Sequence, residues 1–313
     1  MRSSTRCLIT LLALMGCLAA TCHAENTSER ELDQNLLTSA TIKIDCDFRT
    51  WAAAHECVRR ILPTVSFRAA NYRAQQTTFL LRVTYKEFPD PSNGNQSTVS
   101  RGSAFLVDRD RGYFLTAKHV LLGSKVWSTF FPNNPFADLE AAIEDYLYSE
   151  KVQITLQADE DAPPIPASLI ALDRNSDLAL IAVYNLNNIT LSQFPALYRP
   201  MAMASDIECT NLQVTAVGFT LSPNSTKMRR DNSPFGRATC DFYPKTYYIG
   251  GQKYRIPLFN TTAAFKPGFS GGPVLDSDLQ VIGVVSGATA PTESQNWFFV
   301  PLSAVRSFLS RFR

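Results

Sequence analysis

Residues 266–273 read KPGFSGGP, and this stretch is the strongest single indication of how the chain folds and acts. Glycines on both sides of Ser270 favour a tight turn that leaves the serine hydroxyl exposed and lets backbone N–H groups converge. A turn of this kind can hold the oxyanion of an acyl-transfer intermediate. The stretch therefore predicts a nucleophilic serine.

The position of the histidines chooses between two folds that carry such a turn. The α/β-hydrolases also place a serine in a GxSxG turn, but their histidine follows that serine in the chain. No histidine lies in the 43 residues after Ser270. The hydrolase fold is therefore excluded.

Of the three histidines, only His119 suits general base catalysis. His23 lies in a segment that we expect to be removed from the mature protein. His55 begins an HE pair, but the zinc motif HExxH would need a second histidine where Arg59 stands, so no metal site is expected. His119 ends the apolar run GYFLTAKH and precedes Ser270 in the chain.

The acid that would orient this histidine is expected at Asp177. It opens the apolar strand Leu178–Tyr184, so its carboxylate can be half-buried and accept the second imidazole N–H. Asp173 lies four residues earlier in polar sequence, where we expect it to be solvated. The resulting order of His119, Asp177 and Ser270 is that of the chymotrypsin-type serine proteases.

Several segments together resemble the trypsin-like serine proteases, and specifically their HtrA/Deg-type branch. The strongest are GSAFLV (102–107) with LTAKHV (115–120), DLALI (177–181) and TAAFKPGFSGGP (262–273). Supporting matches are VTAVGF (214–219), VIGV (281–284) and FFVP (298–301). The resemblance spans about residues 77–308 and, as a combination in this order, is highly specific.

The resemblance implies an all-β fold of two perpendicular, antiparallel, six-stranded β-barrels with the active site at their junction. It implies a serine endopeptidase in which His119 is the general base, Asp177 orients it and Ser270 is the nucleophile. The oxyanion hole would be formed by the backbone N–H groups of Gly268 and Ser270, with Phe269 lining it. The family usually has Asn or Asp at the position of Phe269. If the bulky Phe269 prevents the oxyanion hole from forming, the alternative is a binding or scaffold protein with an unformed oxyanion hole.

The resemblance also locates the primary specificity pocket. Ala264 stands where trypsin carries an acidic residue, and Phe265 follows it. The pocket wall is expected at Val284, Val285, Ser286 and Gly287. Without a carboxylate at the floor, we expect a preference for small or medium apolar side chains of a polypeptide substrate. No cofactor is expected.

Composition and charge limit the class of partner. The chain has 45% hydrophobic and 19% charged residues, which excludes a disordered, collagen-like or coiled-coil chain. Its formal charge is +2, and loss of Arg2 and Arg6 with the N-terminal segment would bring it to about zero. The mature chain would then have no surplus of basic residues, so its charge gives no indication that it binds nucleic acid.

The first 24 residues have the three parts of a secretory signal. Arg2 and Arg6 form the basic start, Leu8–Ala20 is the apolar run, and the sequence CHA ends at Ala24. That apolar run is too short to span a bilayer, so no membrane span is expected. We expect export to a periplasm or the extracellular space. The alternative is a lipoprotein box, LMGC, that would acylate Cys17.

Cleavage after Ala24 would leave an even set of cysteines, which in an exported protein predicts two disulfides. These cysteines are Cys46, Cys57, Cys209 and Cys240. Three pairings are possible, and the local one, Cys46–Cys57 with Cys209–Cys240, is favoured. A structural zinc site competes with this interpretation, but no CxxC spacing supports it.

The sequence pattern divides the chain into three regions. Residues 1–24 are the predicted signal, and residues 25–75 form an N-terminal helical extension. The remainder, 76–313, is the predicted catalytic unit, with barrel one at about 76–190, barrel two at about 205–303 and a C-terminal helix at about 302–312. The sequence leaves the oligomeric state open.

Overall fold

The computed structural model describes a defined part of the chain, namely residues 71, 73–90, 96–123, 139–183, 200–205, 212–221, 227–249, 252–288 and 297–312. The predicted signal and nearly all of the predicted N-terminal extension lie outside these residues. Cys46, Cys57 and Cys209 also lie outside them, and only the backbone of Cys240 is described. The signal and the disulfides therefore stay predictions.

The first barrel closes from six antiparallel strands in the order β1-β2-β3-β6-β5-β4. The strands are β1 (Thr78–Asp90), β2 (Gln96–Asp108), β3 (Tyr113–Thr116), β4 (Val152–Gln157), β5 (Ile165–Leu172) and β6 (Ala179–Ala182). In β1 the buried residues Leu81, Val83 and Tyr85 alternate with less buried polar ones, which is the period of a strand with one face in a core. Strand β6 lies between β3 and β5 and is buried throughout.

The second barrel is formed by β7 (Leu212–Leu221), β8 (Met228–Asn232), β9 (Gly236–Ile249), β10 (Gln252–Thr261), β11 (Pro273–Leu275), β12 (Val281–Ala288) and β13 (Trp297–Pro301). Their order is β11-β12-β13-β10-β9-β7-β8, and pairing of β11 with β7 closes six of them while β8 adds to β7. The predicted fold of two six-stranded antiparallel barrels is confirmed.

Among the described residues, residues 71 and 73–77 before β1 are helical, and the helices α1 (Lys118–Leu122), α2 (Leu139–Tyr148) and α3 (Leu302–Leu309) accompany the barrels. Leu302, Val305 and Phe308 of α3 are buried at helical spacing, and a short 3₁₀ turn, Ser310–Phe312, follows. None of the helices among the described residues has the length and apolar character needed to cross a membrane.

The two barrels contact each other where β1 meets β7 and β8. Leu80 of β1 packs in one buried cluster with Phe219 and Met228 of barrel two. The Arg230 guanidinium of β8 donates a 3.1 Å hydrogen bond from Nε to the carbonyl of Thr78. This interface brings the end of β3, which leads into α1, close to the loop that leads into β11.

Candidate active site

His119 is the second residue of α1, directly after the buried strand β3. Its backbone N–H donates to Asp177 Oδ1 at 2.9 Å, and its ring Nδ1 lies 2.7 Å from Asp177 Oδ2. An ionised carboxylate can only accept hydrogen bonds, so Nδ1 carries the proton and Nε2 of the neutral ring is left as the base. The side chain is 41% exposed, so this nitrogen is within reach of a reactant.

The short helix that carries His119 is fixed at its C-terminal end. Tyr85, fully buried on β1, donates its hydroxyl to the carbonyl of Leu121 at 2.6 Å. Gly123 ends the helix with φ +53, and a Cβ there would lie 2.9 Å from the Tyr85 oxygen. The helix therefore ends against the tyrosine, and its position relative to barrel one is set by packing.

Asp177 is buried just before β6 and accepts three hydrogen bonds. Two come from His119, and the third comes from the hydroxyl of Ser286 on β12 at 2.6 Å. Burial raises the pKa of this carboxyl group, but the electrostatic interaction with His119 and the hydrogen bonds from His119 and Ser286 together outweigh burial and lower the pKa below its usual range. Asp177 is therefore ionised at neutral pH.

Ser286 thus has a role that the sequence did not indicate. Its hydroxyl donates to Asp177, and its expected place in the wall of the specificity pocket stays a prediction. The bond also joins barrel two directly to the His119–Asp177 pair. A serine within the otherwise apolar strand VIGVVSGA was the available signal, because a buried hydroxyl must find a partner.

The expectation that Asp173 is solvated is wrong. The residue is buried: its carboxylate accepts from the hydroxyl of Ser176 and pairs with Arg311 at 3.0 Å. Its backbone N–H donates to Leu178 O at 2.9 Å, and its carbonyl accepts from Lys118 Nζ at 2.6 Å. The polar sequence around it is the surface of a turn, and the C-terminal 3₁₀ residue Arg311 covers the carboxylate.

Ser270, the candidate nucleophile, follows a tight turn that requires glycine at position 268. Phe269 N–H donates to Lys266 O at 3.0 Å, and Gly268 has φ +94. With Pro267 at the second position and glycine in the left-handed region at the third, this is the pattern of a type II turn. A Cβ on Gly268 would lie 2.4 Å from the carbonyl oxygen of Phe219.

Phe269 has a place inside barrel two. Its side chain is fully buried, and a Cβ on Gly218 would lie 2.7 Å from the Phe269 Cα. Strand β7 therefore carries a glycine where the ring and backbone of Phe269 pass. The bulky residue before Ser270 acts as an apolar anchor for the turn and does not obstruct it.

The backbone of the turn exposes two N–H groups. The carbonyl of Phe269 accepts from Gly272 N at 2.8 Å, and Gly271 N–H donates to Val285 O at 2.8 Å. Within the part of the chain that the structure describes, the N–H groups of Gly268 and Ser270 have no hydrogen-bond acceptor. These are the two groups that the sequence predicts as oxyanion donors, whereas the Phe269 N–H is used within the turn.

The Ser270 turn lies against the end of β3 and against β2. A Cβ on Gly271 would fall 2.3 Å from Thr116 Oγ1 and 2.9 Å from the backbone nitrogen of Ala117, two residues before His119. Ser103 on β2 donates its N–H to the carbonyl of Ser270 at 2.8 Å. The structure thus brings His119, Asp177 and the Ser270 turn together where the barrels meet.

The residues expected at the specificity pocket lie beside this turn. Phe265, Val284 and Val285 are buried, while Ala264 and Gly287 are half-buried. The indole N–H of Trp297 on β13 donates to the Phe265 carbonyl at 2.9 Å and fixes that segment. No acidic residue lies among them, and among the described residues no group of three His, Cys, Asp or Glu side chains could hold a metal ion.

Comparison with known proteins agrees with this geometry. A family model described as a trypsin-like peptidase domain matches residues 102–284. The chain is 26% identical over 264 residues to the mitochondrial serine protease HTRA2 of Drosophila virilis, which covers 80% of this chain and 52% of the relative. It is 26% identical over 268 residues to the same protein of Drosophila grimshawi, covering 81% and 52%. The chain thus spans about half the length of the curated relatives that it matches.

The fold has a counterpart among solved structures. The active form of the Rv3671c protease from M. tuberculosis matches with a TM-score of 0.50 and 19% identity, covering 77% of this chain and 82% of that chain. At this identity the match supports the two-barrel fold alone.

Proposed function

The chain belongs to the trypsin-like peptidase family, and we propose that it is an exported serine endopeptidase that cleaves polypeptides through an acyl-enzyme intermediate. The observation that carries the proposal is the doubly hydrogen-bonded His119–Asp177 pair beside the Ser270 turn. Such a pair is what nucleophilic catalysis by a serine requires, because the hydroxyl is a weak nucleophile without an oriented base.

The proposed reaction uses each group in turn. His119 Nε2 takes the proton of the Ser270 hydroxyl as the oxygen attacks the peptide carbonyl carbon. Asp177 stabilises the imidazolium that forms, and the histidine then gives the proton to the leaving amine. A water molecule, deprotonated by the same nitrogen, hydrolyses the resulting ester and restores the serine.

The oxyanion that forms in both steps would be bound by the N–H groups of Gly268 and Ser270. Their lack of an acceptor within the described residues supports this role, and so does the positive φ of Gly268. Loss of one such donor typically costs about 2.7–4 kcal/mol of transition-state stabilisation. The same features speak against the scaffold alternative, which needs an unformed oxyanion hole.

The substrate that we propose is a polypeptide with a small or medium apolar side chain before the cleaved bond. The segment Ala264–Phe265 carries no charge and the wall residues Val284 and Val285 are apolar, which disfavours Lys or Arg. Digestion of a peptide library tests this: enrichment of Ala, Val or Leu before the cleavage site is expected. A strong preference for Lys or Arg would reject it.

Export through the signal at residues 1–24, with two disulfides forming afterwards, is part of the same proposal. The mature protein would then consist of an N-terminal extension, about 25–75, and the catalytic unit, 76–313. N-terminal sequencing of the exported protein is expected to start at Glu25. A start at an acylated Cys17 would show the lipoprotein alternative to be right.

Labelling with a fluorophosphonate probe tests the catalytic proposal directly. Wild-type full-length protein is expected to be labelled, and Ser270→Ala to lose the label. Ser310→Ala, a change at an exposed serine of the C-terminal turn, serves as the matched control and should label like wild type. Absence of label on folded wild type would reject the activity, and label on Ser270→Ala would mean that another residue is the nucleophile.

A further inference from the structure

Ser103 of barrel one donates hydrogen bonds to two carbonyl groups of the turn that carries the proposed oxyanion donors, those of Gly268 and Ser270. We infer that Ser103 is a positioning residue, which holds the N–H groups of Gly268 and Ser270 toward the substrate without touching it. The inference rests on the proposed function and deepens it, because it assigns the geometry of the oxyanion hole to a residue outside the turn.

Ser103 makes four hydrogen bonds while fully buried on β2. Its hydroxyl donates to the carbonyl of Gly268 at 2.8 Å and accepts from the N–H of Phe219 at 2.8 Å. Its backbone N–H donates to the carbonyl of Ser270 at 2.8 Å, and its carbonyl accepts from Thr116 at 2.7 Å. The residue therefore links the two barrels at the base of the turn.

These bonds fix two peptide groups at both of their ends. The peptide between Gly268 and Phe269 has its carbonyl bound by the Ser103 hydroxyl and its N–H bound by Lys266. In the peptide between Ser270 and Gly271, the carbonyl accepts from the Ser103 N–H and the N–H donates to the carbonyl of Val285. Neither group can rotate without breaking two hydrogen bonds at once.

The remaining N–H groups follow from this arrangement. The peptide that carries the Ser270 N–H has a fixed peptide on each side, and the peptide that carries the Gly268 N–H has one on its C-terminal side. Both N–H groups are thereby held in the direction in which they have no acceptor among the described residues. Glycine at position 268 makes this support necessary, because a residue without Cβ changes its backbone conformation with little steric resistance. Without the Ser103 hydroxyl, the Gly268 carbonyl and the Phe219 N–H would both lose their partner, and a rotated turn would become competitive.

The chain provides a matched control for this role. Ser233 is also buried, and its hydroxyl accepts the N–H of Ala216 at 2.9 Å, on the same strand β7 as Phe219. It donates to the carbonyl of Pro234 at 3.1 Å and makes no contact with the Ser270 turn in the hydrogen bonds described. Ser233→Ala thus removes the same chemical group from a similar environment.

The test compares Ser103→Ala with Ser233→Ala and wild type in the full-length protein. Turnover of a peptide substrate, binding of a peptide aldehyde and thermal unfolding are measured. An aldehyde adduct places a negative oxygen in the oxyanion hole, so its affinity reports the hole directly. For Ser103→Ala we expect kcat to fall about 10²-fold with KM nearly unchanged, and aldehyde affinity to fall by a similar factor. Ser233→Ala should lose thermal stability but keep kcat within about twofold.

A second pair of variants covers the case in which Ser103→Ala does not fold. Ser103→Thr and Ser103→Val have side chains of equal size and differ in the hydroxyl. We expect the kcat of Ser103→Thr to exceed that of Ser103→Val by about tenfold or more. Equal kcat values for this pair, or an unchanged kcat in folded Ser103→Ala, would overturn the inference while wild-type activity keeps the proposed function. Failure of wild type to react with substrate and probe would reject both.

Discussion

The two halves of the candidate site are held in place by different forces. On barrel one, charged groups support His119: the ionised Asp177 accepts from it, and the nearby Asp173 is buried against Arg311. On barrel two, neutral groups support the Ser270 turn. Backbone and hydroxyl hydrogen bonds fix its peptides, and the buried ring of Phe269 anchors it.

The chemistry of the proposed reaction explains this difference. A carboxylate is needed where a histidine gains a proton, because its charge stabilises the imidazolium. An oxyanion needs N–H dipoles that are fixed before it forms, and neutral groups can provide these. Barrel one should therefore respond to changes of charge and pH, and barrel two to changes of backbone geometry.

The largest expected effect is that of removing the charge on barrel one. Asp177→Asn keeps the size of the side chain but is expected to lower kcat about 10⁴-fold, because the amide favours the wrong histidine tautomer. Steady-state kinetics with a peptide substrate measures it, with Asp276→Asn as control, since among the described residues Asp276 accepts from the nearby backbone N–H groups of Asp278 and Gln280. A fall of less than tenfold would show that the charge of Asp177 is not needed, and the contrast between the halves would be lost.

The next effect tests backbone geometry on barrel two. Gly268→Ala places a Cβ about where the Phe219 carbonyl lies, at a residue with φ +94, so the turn must change. We expect kcat to fall about 10²–10³-fold. Unfolding should be easier by roughly 1–2 kcal/mol, the usual penalty for a left-handed residue with a side chain.

Gly112→Ala is the control for this change. Gly112 also has positive φ, +65, but it lies in the β2–β3 hairpin, where a Cβ would come no nearer than 3.4 Å to another atom. The control should show a similar loss of stability with unchanged kcat. Equal kcat values for the two alanine variants would mean that the left-handed turn is not part of the oxyanion site.

The fold and the chemistry-bearing residues could be predicted because they are written in local motifs. A glycine-flanked serine, a histidine at the end of an apolar strand and an aspartate at the start of another are each visible within about ten residues of sequence. Their order in the chain then excluded the competing fold. Packing of Phe269 in barrel two could not be read this way, since it depends on Gly218.

The supporting residues were missed for a physical reason. Asp173 has polar neighbours in sequence, but its partner Arg311 lies 138 residues away. The hydroxyl of Ser103 contacts a carbonyl 165 residues away, and that of Ser286 contacts a carboxylate 109 residues away. A hydroxyl in a strand has no local pattern that names its partner, so these contacts follow only from the closed barrels.

A moderate effect, dependent on pH, is expected from Ser286→Ala. The pKa of Asp177 is lowered in the folded protein, so its ionised form stabilises the fold above the unfolded pKa, and this contribution is lost as the pH falls through the folded pKa. The variant lacks one of the hydrogen bonds that lower this pKa. Its folded pKa should rise toward the unfolded value, so the loss of stability on acidification should end at a higher pH and be smaller in total than in wild type.

Urea unfolding between pH 7 and pH 2 measures this effect. At neutral pH we expect Ser286→Ala to be less stable by about 1.5–3 kcal/mol, the usual range for a hydrogen bond to a charged group. The difference should shrink once Asp177 is protonated in both proteins. Ser233→Ala, whose hydroxyl bonds neutral backbone groups, should show a difference that does not vary with pH. A constant difference for Ser286→Ala as well would contradict the charge-based support of barrel one.

The smallest effect is expected where barrel two does carry a charge. Lys266, at the start of the Ser270 turn, donates to Asp231 at 2.6 Å, and hydrogen bonding to this lysine helps to outweigh burial and lower the pKa of Asp231. The two side chains are 42% and 27% exposed, so water and salt screen the pair. Lys266→Ala should cost less than about 1 kcal/mol of stability, and less still in high salt.

Activity should also be nearly unchanged in Lys266→Ala, within about twofold in kcat, because the turn uses the backbone carbonyl of Lys266 and not its ammonium group. Lys227→Ala removes a comparable exposed pair, with Asp161, at a distance from the turn in sequence and serves as control. A kcat loss of tenfold or more in Lys266→Ala, without a loss in Lys227→Ala, would show that charge positions the oxyanion turn too. The two halves of the site would then be supported by the same force, and pH should affect both.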